Sequence, residues 1–252
     1  MLGHLQFGQG WRKVMVLGGA FGWADDWAGF LAGLDPERAT WVFADYRGYG
    51  RSRGLDGEFN FDEAAADVLA LADSLGWGRF ALVGHSMGGV AIQRVLLAAR
   101  PGRIERMAAI AAVPACSSRM DEQRLAMFGK AATDLAQRQF ILDFSTGKRL
   151  PFAWLRQLAR DSSAQSLPQA FESYLRDWGT VDFSDSVLGN QTPVKVFIGA
   201  NDPTLTRELM ERSWLAWYPN AELEVLEGCG HYPMHETPLA LAAALDHYLQ
   251  LP

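Results

Sequence analysis

Short apolar runs recur along this chain, and each stops at a turn-forming residue. The run 14–17 ends at Gly18-Gly19, 40–44 at Asp45, 80–83 at Gly84, 107–113 at Pro114, 194–198 at Gly199, and 223–226 near Gly228. A strand that is apolar without alternation is buried on both faces. That requires a parallel sheet covered by helices on each side. Helical patterns fall between the runs at 61–75, 90–99 and 205–217, and Thr237-Pro238 opens a last helix with proline at the favoured first position. The expectation is an α/β fold: a mostly parallel, doubly wound sheet of about seven strands. Such sheets place their chemistry beyond the carboxyl ends of the strands.

The alternation lapses between residues 116 and 190. That stretch has helical periodicity, almost no strand signal, and interruptions at Gly147 and Pro151. At roughly 75 residues it far exceeds an ordinary crossover. It reads as an inserted helical cap (116–190) on a core built from 1–115 and 191–252. The cap is rich in large apolar side chains, among them Phe128, Phe144 and Trp154. Most are expected to bind the cap to the core, and a few to face a small apolar ligand. The cap also carries scattered cations, including Arg119, Arg138, Arg149 and Arg156. These read as a solvated helix face, with a substrate carboxylate as the alternative partner.

The net charge is −6 and no Lys/Arg block occurs, which argues against a nucleic-acid surface or an anionic membrane as partner. No apolar run approaches the roughly 20 residues that span a bilayer. The N-terminus lacks a basic segment followed by an apolar one. A cytoplasmic protein is expected, with Cys116 and Cys229 as free thiols. The cysteine spacing matches no zinc pattern, so neither metal nor organic cofactor is implied. Oligomeric state is not legible.

Gly84-His85-Ser86-Met87-Gly88 fits G-x-S-x-G, placed between an apolar run and an amphipathic helix. A serine exposed on so sharp a turn needs small neighbours two residues away on each side, which Gly84 and Gly88 provide. A serine hydroxyl also needs a base. His85 is adjacent, but consecutive side chains diverge on a sharp turn, so it reads as a packing residue. His231 follows the last strand run in a glycine-rich loop at the same edge of the sheet as Ser86. Asp202 follows the run 194–198 and can orient that imidazole, with Asp182 and Asp185 as weaker rivals. Acyl transfer further needs two N–H donors for an oxyanion. Met87 supplies one, and the loop 18–22 supplies the other.

These motifs together resemble the α/β-hydrolase superfamily, in its small capped serine esterase and lactonase branch, over nearly the whole length. GHSMGG is similar to the family's nucleophile elbow. DYRGYGRS (45–52) is similar to its D-x-x-G-x-G-x-S loop, and GANDP and GCGHYPMHETP are similar to its acid and base loops. His231, Glu236 and Pro238 match H-x-x-x-x-E-x-P, whose glutamate and proline shape the last helix in the family. The resemblance implies a catalytic triad of Ser86, Asp202 and His231. It implies an oxyanion hole from the N–H groups of Met87 and Ala20, with Phe21 as the other choice for the second donor. Gly18-Gly19 stands where the family usually has His-Gly. Only about a dozen residues precede the first clear strand, so the family's opening hairpin is expected to be trimmed. Serine at the nucleophile position speaks against epoxide hydrolases and haloalkane dehalogenases.

The implied reaction is hydrolysis of a small or medium apolar carboxylic ester, with Phe21, Trp23, Phe128, Phe144 and Trp154 as candidate substrate contacts. The same three residues would serve an enol-lactonase, an acyl-thioesterase, a carbon–carbon bond hydrolase or a perhydrolase. A hydrolase-fold small-molecule receptor is the reading from a different class.

Overall fold

The structure, a computed structural model, describes residues 1–250. Seven strands form one sheet: β1 (His4–Phe7), β2 (Arg12–Leu17), β3 (Ala39–Ala44), β4 (Phe80–His85), β5 (Ile104–Ile110), β6 (Val194–Gly199) and β7 (Ala221–Leu226). Their order is β1-β3-β2-β4-β5-β6-β7. Every pairing is parallel except β1 with β3, where His4 lies opposite Ala44 and Phe7 opposite Trp41. The mostly parallel sheet expected from the apolar runs is the one observed. β3 and β4 are buried along their whole length, as strands covered on both faces must be.

One strand lies where no run marked it. β1 occupies part of the dozen residues ahead of the first clear strand, and it lies on the sheet edge. An edge strand needs only one apolar face, so HLQF alternates and offers no continuous apolar run. β5 also starts and stops about three residues earlier than its apolar run. After Ile110 the chain turns at Ala111 (φ 39°), and Val113 donates its N–H to the Ser86 carbonyl. The tail of the apolar run therefore packs over the turn after β4 instead of extending the sheet.

Helices Phe61–Ser74 and Gly88–Ala98 pack against each other beside the sheet, and Pro238–Gln250 closes the chain. Asn60 caps the first of these by accepting the Glu63 N–H at 2.8 Å. The 205–217 segment, which reads as one helix, forms two short ones, Arg207–Glu211 and Trp214–Trp217. Between β5 and β6 lie Glu122–Gly129, Leu135–Ser145, Phe152–Ala164, Pro168–Thr180 and the short Ser184–Val187. Ahead of Gly147 the helical stretch also breaks at Asp134, which caps the Leu135–Ser145 helix by accepting the N–H groups of Ala136 and Gln137. None of the described helices is long and apolar enough to cross a membrane.

Candidate active site

Ser86 sits between β4 and the Gly88–Ala98 helix with φ of 55°. Left-handed backbone on a serine costs on the order of 1–3 kcal/mol and persists only where its surroundings enforce it. Three hydrogen bonds do so. The Ser86 N–H donates to Ile110 at 3.0 Å, and its carbonyl accepts from Gly89 and Val113, each at 2.9 Å. The flanking glycines are there for space. A Cβ on Gly84 would stand 2.4 Å from the Gly88 carbonyl oxygen, and one on Gly88 would stand 2.3 Å from that of Leu17.

His231 Nε2 lies 2.9 Å from Ser86 Oγ, and His231 Nδ1 lies 2.6 Å from Asp202 Oδ2. The other Asp202 oxygen accepts from the Thr204 hydroxyl, the Thr204 N–H and the Leu205 N–H. Burial alone would raise the Asp202 pKa. The neighbouring imidazole and the Thr204 donors outweigh it and hold the carboxyl at about 2. Asp202 is therefore ionised and accepts the proton of Nδ1. With the ring neutral, Nε2 then turns its lone pair to the serine hydroxyl, the arrangement a general base requires. Asp182 and Asp185 lie elsewhere: Asp182 bonds Ser184 and Arg119.

His85 is fully buried and is not the group next to Ser86 Oγ. Its Nε2–H donates to the His231 carbonyl at 2.8 Å. Burial first, and the nearby His231 second, drive its pKa well below the ordinary histidine range, so it stays neutral. The loop after β2 closes the site from the opposite side. Gly19 packs directly on His85 and Ser86, and the Tyr46 hydroxyl donates to the Gly18 carbonyl at 3.2 Å. Within the described residues, the N–H groups of Met87, Ala20 and Phe21 donate to no other protein group.

The candidate substrate contacts are less convergent. Phe21 is buried and stacks in parallel on Phe171, with ring centroids 5.6 Å apart. Trp23 is half-buried. Trp154 packs edge-on against Tyr232, the residue after His231, and against His235. Phe128 packs edge-on against Trp178. Phe144 is 43% exposed to solvent. Cys229 is a buried free thiol bonded to the Leu226 carbonyl. Among the described residues, no group of three histidine, cysteine or acidic side chains could hold a metal ion.

The resemblance gives Glu236 a part in shaping the last helix, and in the structure its carboxylate clasps the loop that carries His231. Its two oxygens accept the N–H groups of Gly230 and Tyr232, the residues on either side of His231. The His231 N–H donates to the carbonyl of Ser145, at the end of the Leu135–Ser145 helix. No sequence signal could have marked Ser145, because only its backbone takes part. Glu236 is a motif residue in the sequence. That it grips the histidine loop depends on the turn Pro233–Glu236, a tertiary detail.

A strand–serine–helix elbow, with an imidazole and a buried carboxylate in line, is a constellation that recurs among hydrolases built on α/β sheets. The sequence matches the alpha/beta hydrolase fold family over residues 13–238, and the chain belongs to that family. It is 28% identical to Esterase YbfF of Escherichia coli (strain K12), over 94% of this chain and 92% of that protein. It is 27% identical to the non-heme chloroperoxidase of Streptomyces lividans, over 87% of this chain and 86% of that protein. The fold is shared with the esterase EaEST from Exiguobacterium antarcticum. That structure superposes with a TM-score of 0.88 at 19% identity, covering 98% of this chain and 95% of the other.

Proposed function

We propose that the protein is a serine hydrolase that cleaves small or medium carboxylic esters through an acyl-enzyme on Ser86. One observation carries this reading: the hydrogen-bonded line from Asp202 through His231 to a serine held at φ 55° on a strand–helix turn. Ser86 Oγ attacks the ester carbonyl while His231 Nε2 takes its proton. Asp202 stabilises the imidazolium that forms. The N–H groups of Met87 and Ala20, which bond no other group among the described residues, receive the oxyanion, and the helix N-terminus behind Met87 favours the same charge. His231 then protonates the departing alcohol. It next activates the water that releases the acid and restores Ser86. Residues 116–190 act as the cap over this site, with Phe21, Trp23 and Trp154 as its apolar contacts to substrate. Phe128 and Phe144 complete the candidate set.

A fluorophosphonate probe followed by peptide mass spectrometry tests this. The adduct is expected on Ser86 and is expected to vanish in His231→Ala. An adduct on another residue, or undiminished labelling without His231, would overturn the reading. p-Nitrophenyl esters of graded chain length, run beside a lactone and an acyl-thioester, then separate the substrate classes.

Similarity to a protein named as a chloroperoxidase favours a second acceptor at the same acyl-enzyme. Hydrogen peroxide in place of water would yield a peracid. Peracid formation from an ester and peroxide, abolished in Ser86→Ala, is the measurement that supports it.

A further inference from the structure

We propose that Arg149 is a positioning residue for His231, reaching from the 116–190 segment to lock the loop that carries the base. This rests on the reading of His231 as the base of Ser86. Arg149 follows the Leu135–Ser145 helix by way of Gly147 (φ 68°) and Lys148 (φ 55°). Its Nη1 lies 3.0 Å from Glu236 Oε2, and its Nη2 donates to the Gly228 carbonyl at 2.8 Å. One guanidinium thus bridges the residue that opens the base loop and the carboxylate that clasps the amides on either side of His231.

The Glu236 carboxylate is 1% exposed, whereas the Arg149 side chain is 34% exposed. A buried carboxylate without its cation is costly, and the loop shifts or admits water to relieve it. The same stretch of chain makes further contacts with the loop. The Ser145 carbonyl accepts the His231 N–H at 3.2 Å. A Cβ on Gly230 would stand 2.9 Å from Thr146 Cα. His231 is therefore held from two directions, by His85 from the sheet and by residues 145–149 from the insertion. The segment over the site forms half of the mounting for the base, and Arg149 is its charged anchor.

The test is the rate of fluorophosphonate labelling of the full chain, beside kcat and KM for a p-nitrophenyl ester. Displacing a catalytic group by a fraction of an ångström can slow reaction by about tenfold or more, so Arg149→Ala is expected to label about tenfold slower. Its kcat is expected to fall with KM little changed. Because the position is open to solvent, guanidinium added to Arg149→Ala is expected to recover most of the rate, and Arg149→Lys to recover part. Arg156→Ala, an exposed arginine nearby in sequence, is expected to match wild type. Should Arg149→Ala fold poorly, Arg149→Gln keeps the stem and carries the same test. Labelling at the wild-type rate in these variants would overturn the proposal. So would a loss that neither lysine nor guanidinium repairs. A wild-type protein that does not label at all would instead sink the serine-hydrolase reading.

Discussion

The backbone of Gly19 lies against the side chain of Ser86: a Cβ added to Gly19 would stand 2.9 Å from Ser86 Cβ and 2.8 Å from His85 Nδ1. Two elements meet there, the loop after β2 and the turn after β4, and neither can retreat. Ser86 is fixed by three backbone hydrogen bonds, and His85 by its bond to the His231 carbonyl. Gly18, one residue earlier, is different. A Cβ there meets nothing nearer than 3.8 Å.

A paired substitution follows. Gly19→Ala pushes on Ser86 and on the loop bearing Ala20, and a displacement approaching an ångström is expected to lower kcat by about 10²-fold. Gly18→Ala enters open space and is expected to leave kcat within about twofold, with stability changed by no more than roughly 0.5 kcal/mol. Steady-state ester hydrolysis and a denaturant titration of both variants decide it. Equal damage at the two positions would show that the contact between Gly19 and Ser86 does not set the geometry.

Asp202→Asn tests the carboxylate separately from the fold. The oxygen that bonds Thr204 and Leu205 can remain an oxygen, so the loop keeps its anchors. The atom facing His231 Nδ1 then becomes an NH₂ donor. The ring answers by carrying its proton on Nε2, which points a donor at a hydroxyl that needs an acceptor. A fall in kcat of about 10⁴ is expected, with stability changed far less. Ester hydrolysis above pH 8 and a thermal melt measure the two effects, and a variant retaining a tenth of wild-type kcat would contradict this role.

How much was legible beforehand follows from where the signals reside. β2, β3, β4 and β6 announce themselves because burial on both faces leaves few polar positions along most of their length, and Ser86 because its turn demands glycine on each side. β1 was hidden because an edge strand needs only an alternating face. Ser86, Asp202 and His231 each follow a recognisable strand, so topology brings them to one edge. The grip on His231 was not legible. It runs through the Ser145 carbonyl, through Glu236 on a four-residue turn, and through Arg149, which in sequence is one cation among many in the insertion. Backbone partners leave no mark on residue identity, and a salt bridge 87 residues long in sequence separation has no local pattern.

Asp45 makes stability depend on pH in an unusual direction for a carboxylate. Burial pushes its pKa from 3.8 up to about 6, despite the N–H groups of Arg51 and Ala24 that bond the charged form. The folded protein therefore holds this proton where the unfolded chain releases it. Its contribution declines as pH rises from about 4 to 6, by roughly 3 kcal/mol for a two-unit shift. His85 acts oppositely: its depressed pKa means the unfolded chain binds a proton below about 6.5 that the folded protein refuses, so stability falls with acid. Asp202, held at about 2, adds a further loss as pH drops below about 4. Asp45→Asn cannot titrate, and it carries a constant penalty because it offers one acceptor oxygen where two are used. The informative quantity is the slope. Urea unfolding at pH 4 and pH 6 is expected to show wild type gaining on Asp45→Asn by about 2–3 kcal/mol at the lower pH. A pH-independent difference would mean that Asp45 titrates normally.

Arg138 is wholly buried, and no carboxylate pairs with it among the described residues. Burial lowers its pKa to about 10, so it still carries its charge at neutral pH. Its Nε donates to the Ala131 carbonyl, Nη1 and Nη2 reach the Ser162 and Ser166 hydroxyls, and its guanidinium carbon lies 4.9 Å from the Phe21 ring centroid and 5.1 Å from that of Phe171. Removing the side chain leaves a large cavity between helices and an unmet Ala131 carbonyl, so Arg138→Ala is expected to cost about 3–5 kcal/mol. Arg138→Met fills most of that volume without a charge. The two serines stay satisfied, because Ser162 donates to Ala159 and Ser166 to Ser162. Only one carbonyl is orphaned, and the desolvation cost of the cation disappears. The methionine variant is therefore expected within about 1.5 kcal/mol of wild type. Denaturant unfolding at pH 7 measures both. If methionine proves as damaging as alanine, the charge lying on the faces of Phe21 and Phe171 outweighs its own desolvation, and those rings rather than side-chain volume hold the insertion to the loop beside Ser86.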